Sequence, residues 1–172
     1  MKTLGQQLTT YASYHRDRRN IATHFIGIPL IVVATQALLS RPNVGAISPA
    51  IIVSALSAVF YIALDRRYGA AMTIVLAASA WLGSAIAGLS TGAWLALSLG
   101  GFGVGWAIQF LGHAFEGKKP AFVDDLAGLL VGPLFLVAEA SFALGLSREL
   151  HAEIVRAAGP THSSVAYSSV ST

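Results

Sequence analysis

The chain has 172 residues, 55% of them apolar and 11% charged, with a mean hydropathy of +0.66. That charge share is less than half of what a soluble domain uses to cover its surface, so a water-soluble globular protein is excluded, and the length suits one domain. The net charge of +3 comes from scattered Lys and Arg, not from the basic tracts that bind nucleic acid, and the lack of cysteine excludes disulfides, thiolate metal sites and thiol catalysis.

In chain order, the first twenty residues are polar and carry Lys2, Arg16, Arg18 and Arg19, which is not the pattern of a cleavable signal peptide. Residues 4–15 read as a short amphipathic helix along a membrane interface. Five apolar segments follow, at 21–39, 47–64, 70–89, 93–111 and 126–146, each near the roughly 20 residues that cross ~30 Å of hydrocarbon. Polar turns separate them, among them Ser40-Arg41-Pro42-Asn43 and Asp65-Arg66-Arg67-Tyr68. The fourth segment is rich in glycine, with Gly100, Gly101, Gly103, Gly105 and Gly112, which points to close helix packing in a membrane. The fifth contains Pro133 and Glu139. It either crosses or, if Pro133 breaks it, re-enters as a hairpin and returns the tail to its own side. Beyond Ser147 the chain turns polar. Residues 163–172 are Ser-rich and expected to be disordered. The expected fold class is therefore all-α, a polytopic transmembrane bundle of about five segments preceded by an interfacial helix, with residues 1–162 as its single domain.

Lys and Arg distribution orients such a bundle. With five crossings and the N-terminus inside, Lys2, Arg16, Arg18, Arg19, Arg66, Arg67, Lys118 and Lys119 are cytosolic, against Arg41, Arg148 and Arg156 outside. A returning tail raises the bias to ten against one. The expected location is an integral protein of a bacterial inner membrane, with its N-terminus on the cytosolic face.

Five histidines are present: His15, His24, His113, His151 and His162. Asn20 is placed to cap the first long helix, with His24 just inside it. His15 and His24 would face apart on one continuous helix, but a break at residues 16–20 lets both face one point. The topology brings the end of the fourth segment, and so His113, to the same depth and face. Glu116 lies one turn beyond His113 and Gln109 one turn before it. Three neutral imidazoles near a carboxylate suit a divalent metal such as Fe(II) or Zn(II). Interfacial anchoring of the same histidines stays open. So do a zinc-dependent membrane hydrolase of lipid or peptide, a haem carrier using His24 and His113, a transport bundle and a purely structural one. Glu139 is an ionisable group inside a span. It is expected to support the site without ligating, bonded to Trp106 or Gln109.

Tyr14-His15 with Asn20, His24 and Pro29, then Gly105-Trp106, Gln109-Phe110, Gly112-His113, Phe115-Glu116 and Pro120-Ala121, resembles the 2-hydroxy fatty acid dioxygenase family of membrane proteins. The resemblance extends from about Leu4 to Leu146 and includes Asp124, Leu126, Pro133 and Glu139. It implies a non-haem Fe(II) enzyme that uses O2 to shorten a 2-hydroxy fatty acid by one carbon. It implies His15, His24 and His113 as iron ligands, with Glu116 as a fourth candidate, although the eukaryotic pattern has one more residue between this histidine and the glutamate. Asn20, Gln109 and Glu139 would support those ligands, and Lys118, Lys119 or Arg16 would neutralise the substrate carboxylate. His151 falls outside the resemblance.

Overall fold

A computed structural model describes residues 2–43, 45 and 47–163; the expected disordered tail therefore lies, but for Ser163, outside the described residues. Among them are seven α-helices and no named strand. They are α1 (Leu4–Ala12), α2 (Arg18–Ser40), α3 (Pro49–Leu64), α4 (Arg66–Ala87), α5 (Thr91–Glu116), α6 (Gly128–Ala143) and α7 (Arg148–Ala158), with a single 3-10 turn at Ala121–Val123. Three of these helices, α2, α4 and α5, are long and apolar enough to cross a membrane, and the bent pair α6–α7 raises the number to four at most. The expected count of five is not reached by length, because α3, in the second expected segment, has 16 residues, about 24 Å at 1.5 Å each against ~30 Å of hydrocarbon.

The chain forms two compact units, residues 1–25 with 108–172, and residues 26–107. In the second, α3 and α4 form a hairpin turned on Asp65. Its backbone ends α3, and its carboxylate accepts from the N–H groups of Arg67 and Tyr68 at 2.9 Å, capping α4. Backbone contact replaces side-chain packing at glycines: a Cβ on Gly83 would lie 2.7 Å from the Gln36–Ala37 backbone, and one on Gly105 2.9 Å from the Gly27 carbonyl. The expectation of glycine packing along α5 holds only in part, since a Cβ at Gly100 or Gly103 would meet nothing within 4 Å. Trp94 Nε1 donates to the Ala37 carbonyl at 2.9 Å, and Arg41 lies 4.4 Å over the Trp94 ring. Apolar side chains such as Leu56, Val59, Ile74 and Trp81 point outward, as on a surface that meets lipid.

In the first unit a capping box between Thr3 and Gln6 starts α1. Residues 13–17 separate α1 from α2, so the expected break comes slightly earlier than residues 16–20. Asn20 does not cap α2. Asp17 precedes it, and its carboxylate accepts from the Arg19 N–H at 2.8 Å, which leaves Asn20 inside the first turn and fully buried. Pro133 does not break the fifth segment: it lies inside α6, whose helix continues past it to Ala143. The break comes at Gly145 (φ +74), where the Leu146 N–H reaches back to the Ser141 carbonyl and closes a Schellman-type end. Ser147 (φ 51) completes the turn, and α7 leaves at 115° to α6. The polar stretch after Ser147 is thus helical. It packs on α1 through buried Ile154, and Glu153 lies over Gly5.

Candidate metal centre

The three histidines expected to converge do so. His15 sits in the turn after α1, His24 in the second turn of α2 and His113 near the end of α5, and one ring nitrogen of each lies within 4.8 Å of one on each of the others. All three are buried, His15 completely. The ring centroids are 4.5 Å (His15–His24), 4.9 Å (His15–His113) and 5.1 Å (His24–His113) apart, with each pair edge-on at 69–80°. The haem alternative fits poorly, because the His15 ring takes up space that a porphyrin between His24 and His113 would need.

Hydrogen bonds fix the state of two of the rings. His15 Nδ1 lies 2.7 Å from the Tyr11 carbonyl and His24 Nδ1 2.8 Å from the Asn20 carbonyl. A carbonyl only accepts, so both Nδ1 atoms carry the proton, and in the neutral rings both Nε2 atoms are bare. Those two bare nitrogens face each other at 2.9 Å. Lone pair against lone pair is repulsive in a buried site unless a cation lies between them. Two imidazole–metal bonds of about 2.0–2.1 Å span that separation when they meet near a right angle. His113 Nδ1 is buried with no hydrogen-bond partner among the described residues. This donor set therefore suits a divalent metal, with each of the first two ligands oriented by a backbone carbonyl behind it.

Packing holds His15 in place. The Tyr11 ring stacks on it at 4.1 Å and 4°, and Phe135 of α6 lies 5.6 Å away and 5.1 Å from Tyr11. Burial above all pushes the His15 pKa well below the usual imidazole value, and the neighbouring His24 works in the same direction. The ring stays neutral at neutral pH, the form that binds metal.

Glu116 is not among the three converging residues. Its oxygens accept from the N–H groups of Arg16 at 3.0 Å and Asp17 at 2.8 Å, and from Asn20 Nδ2 at 3.1 Å. It clamps the turn that carries His15. Asn20 extends that clamp, since its Nδ2 also donates to the Tyr14 carbonyl at 3.2 Å. Gly112 lets this region approach α5, because a Cβ there would lie 2.5 Å from Asn20 Oδ1 and closer still to Thr23 Oγ1. Gln109 is buried, and its Nε2 has no hydrogen-bond partner among the described residues. Glu139 forms an ion pair with Arg16 at 3.8 Å, and no hydrogen bond joins it to Gln109 among the described residues. Arg16 also donates to the carbonyls of Ala12, His15 and Gly159. Lys118 donates to the Ser13 carbonyl at 2.7 Å, and Lys119 pairs with Asp124. His151 stacks on Phe142 and does not join the cluster. Sequence reasoning missed Tyr11 and Phe135; a tyrosine one helical turn before His15 was the available signal for the first.

A family model described as 2-hydroxy-palmitic acid dioxygenase Mpo1-like matches residues 1–144. The chain belongs to the Mpo1-like family. One member, the 2-hydroxy-palmitic acid dioxygenase MPO1 of Saccharomyces cerevisiae, is 31% identical to this Mpo1-like chain over 154 residues, 88% of the chain and 87% of the yeast protein. No solved structure matches it. The match supports the family function of a dioxygenase and covers α1 to α6, the elements that carry the histidine cluster.

Proposed function

We propose that this chain is a membrane-embedded, Fe(II)-dependent dioxygenase that removes one carbon from 2-hydroxy fatty acids, with His15, His24 and His113 as its metal ligands. The observation that carries the reading is the pair of bare Nε2 atoms facing each other at 2.9 Å beside a third buried histidine. The activity named for the yeast relative supplies the substrate class and the oxidant. Bound iron supplies open coordination positions for the hydroxyl–carboxylate pair of the substrate and for O2. The overall change balances as 2-hydroxy acid plus O2 giving the acid one carbon shorter, CO2 and water. Both oxidised carbons are then accounted for by the four electrons that O2 accepts.

The protein's own residues do the positioning. The Tyr11 and Asn20 carbonyls hold the two imidazoles in the metal-binding tautomer, and Tyr11 and Phe135 keep water from His15. Lys118 and Lys119 are the cations assigned to the substrate carboxylate. Both are exposed, and contacts at such sites are cheaply exchanged. Arg16, buried and tied to three carbonyls and Glu139, belongs to the turn instead. The outward-facing apolar helices suit a bilayer. With residues 159–162 paired to residues 16–18, Arg148 and Arg156 join the basic side, which favours a cytosolic N-terminus and site.

The test is detergent-purified protein loaded with Fe(II) and supplied with 2-hydroxypalmitate and O2. Pentadecanoate and CO2 should form in step with O2 uptake, and His15→Ala, His24→Ala and His113→Ala should each lose bound iron. Stoichiometric iron with no O2 uptake or shortened acid overturns the reading.

A further inference from the structure

The segment just before the end of the described chain is fastened to the turn that carries His15. After α7, Gly159 (φ +84) and Pro160 redirect the chain. His162 then makes a parallel bridge to Asp17. Its N–H donates to the Arg16 carbonyl at 2.8 Å, and its carbonyl accepts from the Arg18 N–H at 2.9 Å. The Gly159 carbonyl accepts from Arg16 Nη1 at 3.0 Å. Arg16 is thus held from two sides. Its N–H goes to Glu116 of α5, and its carbonyl and guanidinium go to residues 159–162. It is buried, and it directly follows His15.

The turn needs such support. Residues 13–17 lie outside both α1 and α2, so most of their N–H and C=O groups have no helical partner, and buried backbone groups without partners are costly. Whatever fixes the Arg16 peptide groups also fixes the backbone from which His15 projects. Residues 159–162 do this with backbone atoms alone, and α7 holds them in place by burying Ile154. All of this lies beyond residue 144, where the family match ends.

We infer that residues 159–162 form a positioning strap that sets the His15 turn, so that metal affinity depends on a segment outside the family-matched region. The strap's metal role rests on the ligand set proposed above. A ligand freed from such outer support typically loses 10–100-fold in metal affinity.

Four forms of the protein in detergent test this: wild type, a chain ending after Ser163, a chain ending after Ala158, and His162→Pro, which removes the strap's N–H donor. The probes are Co(II) titration by absorption and hydrogen exchange at the Arg18 amide of metal-free protein. The chain ending after Ser163 keeps every strap bond and should match wild type in both. The chain ending after Ala158 should bind Co(II) about 10–100-fold more weakly and lose protection at Arg18, with His162→Pro intermediate. Far-UV circular dichroism should show α1–α6 intact in each. If wild type binds Co(II) and the Ala158 chain binds it equally well, the strap has no positioning role and the inference is overturned while the metal reading stands. If wild type binds no Co(II), the metal reading falls and takes the strap's metal role with it, and Arg18 protection then shows only whether the strap itself forms.

Discussion

Replacing Glu116 separates two roles that its position beside His113 would allow. As a clamp, its carboxylate takes the N–H groups of Arg16 and Asp17 and the amide of Asn20, at 2.8–3.1 Å. Hydrogen bonds to a charged acceptor contribute about 1.5–3 kcal/mol each, and a buried donor left without a partner costs about 1–3 kcal/mol. Arg16, Asp17 and Asn20 are all buried, but Glu116 itself is only half-buried, so water recovers part of the loss. Glu116→Ala should therefore destabilise metal-free protein by about 3–5 kcal/mol and Glu116→Gln, which keeps one acceptor oxygen, by about 1–2 kcal/mol. Thermal unfolding in detergent without metal measures this directly. Co(II) affinity should weaken only indirectly, by about tenfold, as the His15 turn loosens. A Glu116→Gln protein with unchanged metal-free stability and more than about 100-fold weaker Co(II) binding would refute the clamp and make Glu116 a ligand.

Acid should destabilise the metal-free protein through His15. Its pKa in the fold lies well below the ordinary 6.5, chiefly through burial, so below that value the unfolded chain binds a proton that the folded chain does not. The stabilising effect is complete above pH 6.5 and is lost as the pH falls from there toward the folded value; a Tm unchanged down to about pH 5 would contradict this. Gly112→Ala should cost about 1–3 kcal/mol and weaken metal binding, because the new methyl meets Asn20 and Thr23. Gly103→Ala, with nothing within 4 Å, should leave the melting curve unchanged or raise it slightly, and equal losses at both glycines would sink the packing argument.

Much of this architecture was legible in the chain. Apolar length locates α2, α4 and α5, and the order of the spans with the bias of Lys and Arg brings His15, His24 and His113 to one face. Other features lacked a side-chain signature of the kind that was read. The strap works through the backbone of Gly159 and His162, which any residues at those positions could supply. The position of the α6–α7 bend depends on a glycine end at Gly145, while Pro133, the more visible breaker, lies inside α6 without ending it. The helix α7 did carry signals: Glu149 in its first turn, Arg156 in its last, Leu150 and Ile154 one turn apart, and Gly159-Pro160 beyond its end. Polarity alone masked it. The partner of Glu139 has no sequence signature, because Arg16 lies more than a hundred residues away and meets it only through the fold; the strongest attraction available to a half-buried carboxylate is such a buried guanidinium.

The three histidines also differ in when they become available. His15 and His24 belong to the opening of the chain, whereas His113 and the Phe135 that backs the cluster arrive only after α3, α4 and most of α5 have been made. A growing chain that holds just the first two presents a pair of bare nitrogens on an unfinished scaffold, with no third donor and no aromatic wall. With the ligand set proposed above, tight capture of an ion would have to wait for the late helices to be inserted and docked, so metal uptake would mark the end of biogenesis and could not guide its early steps.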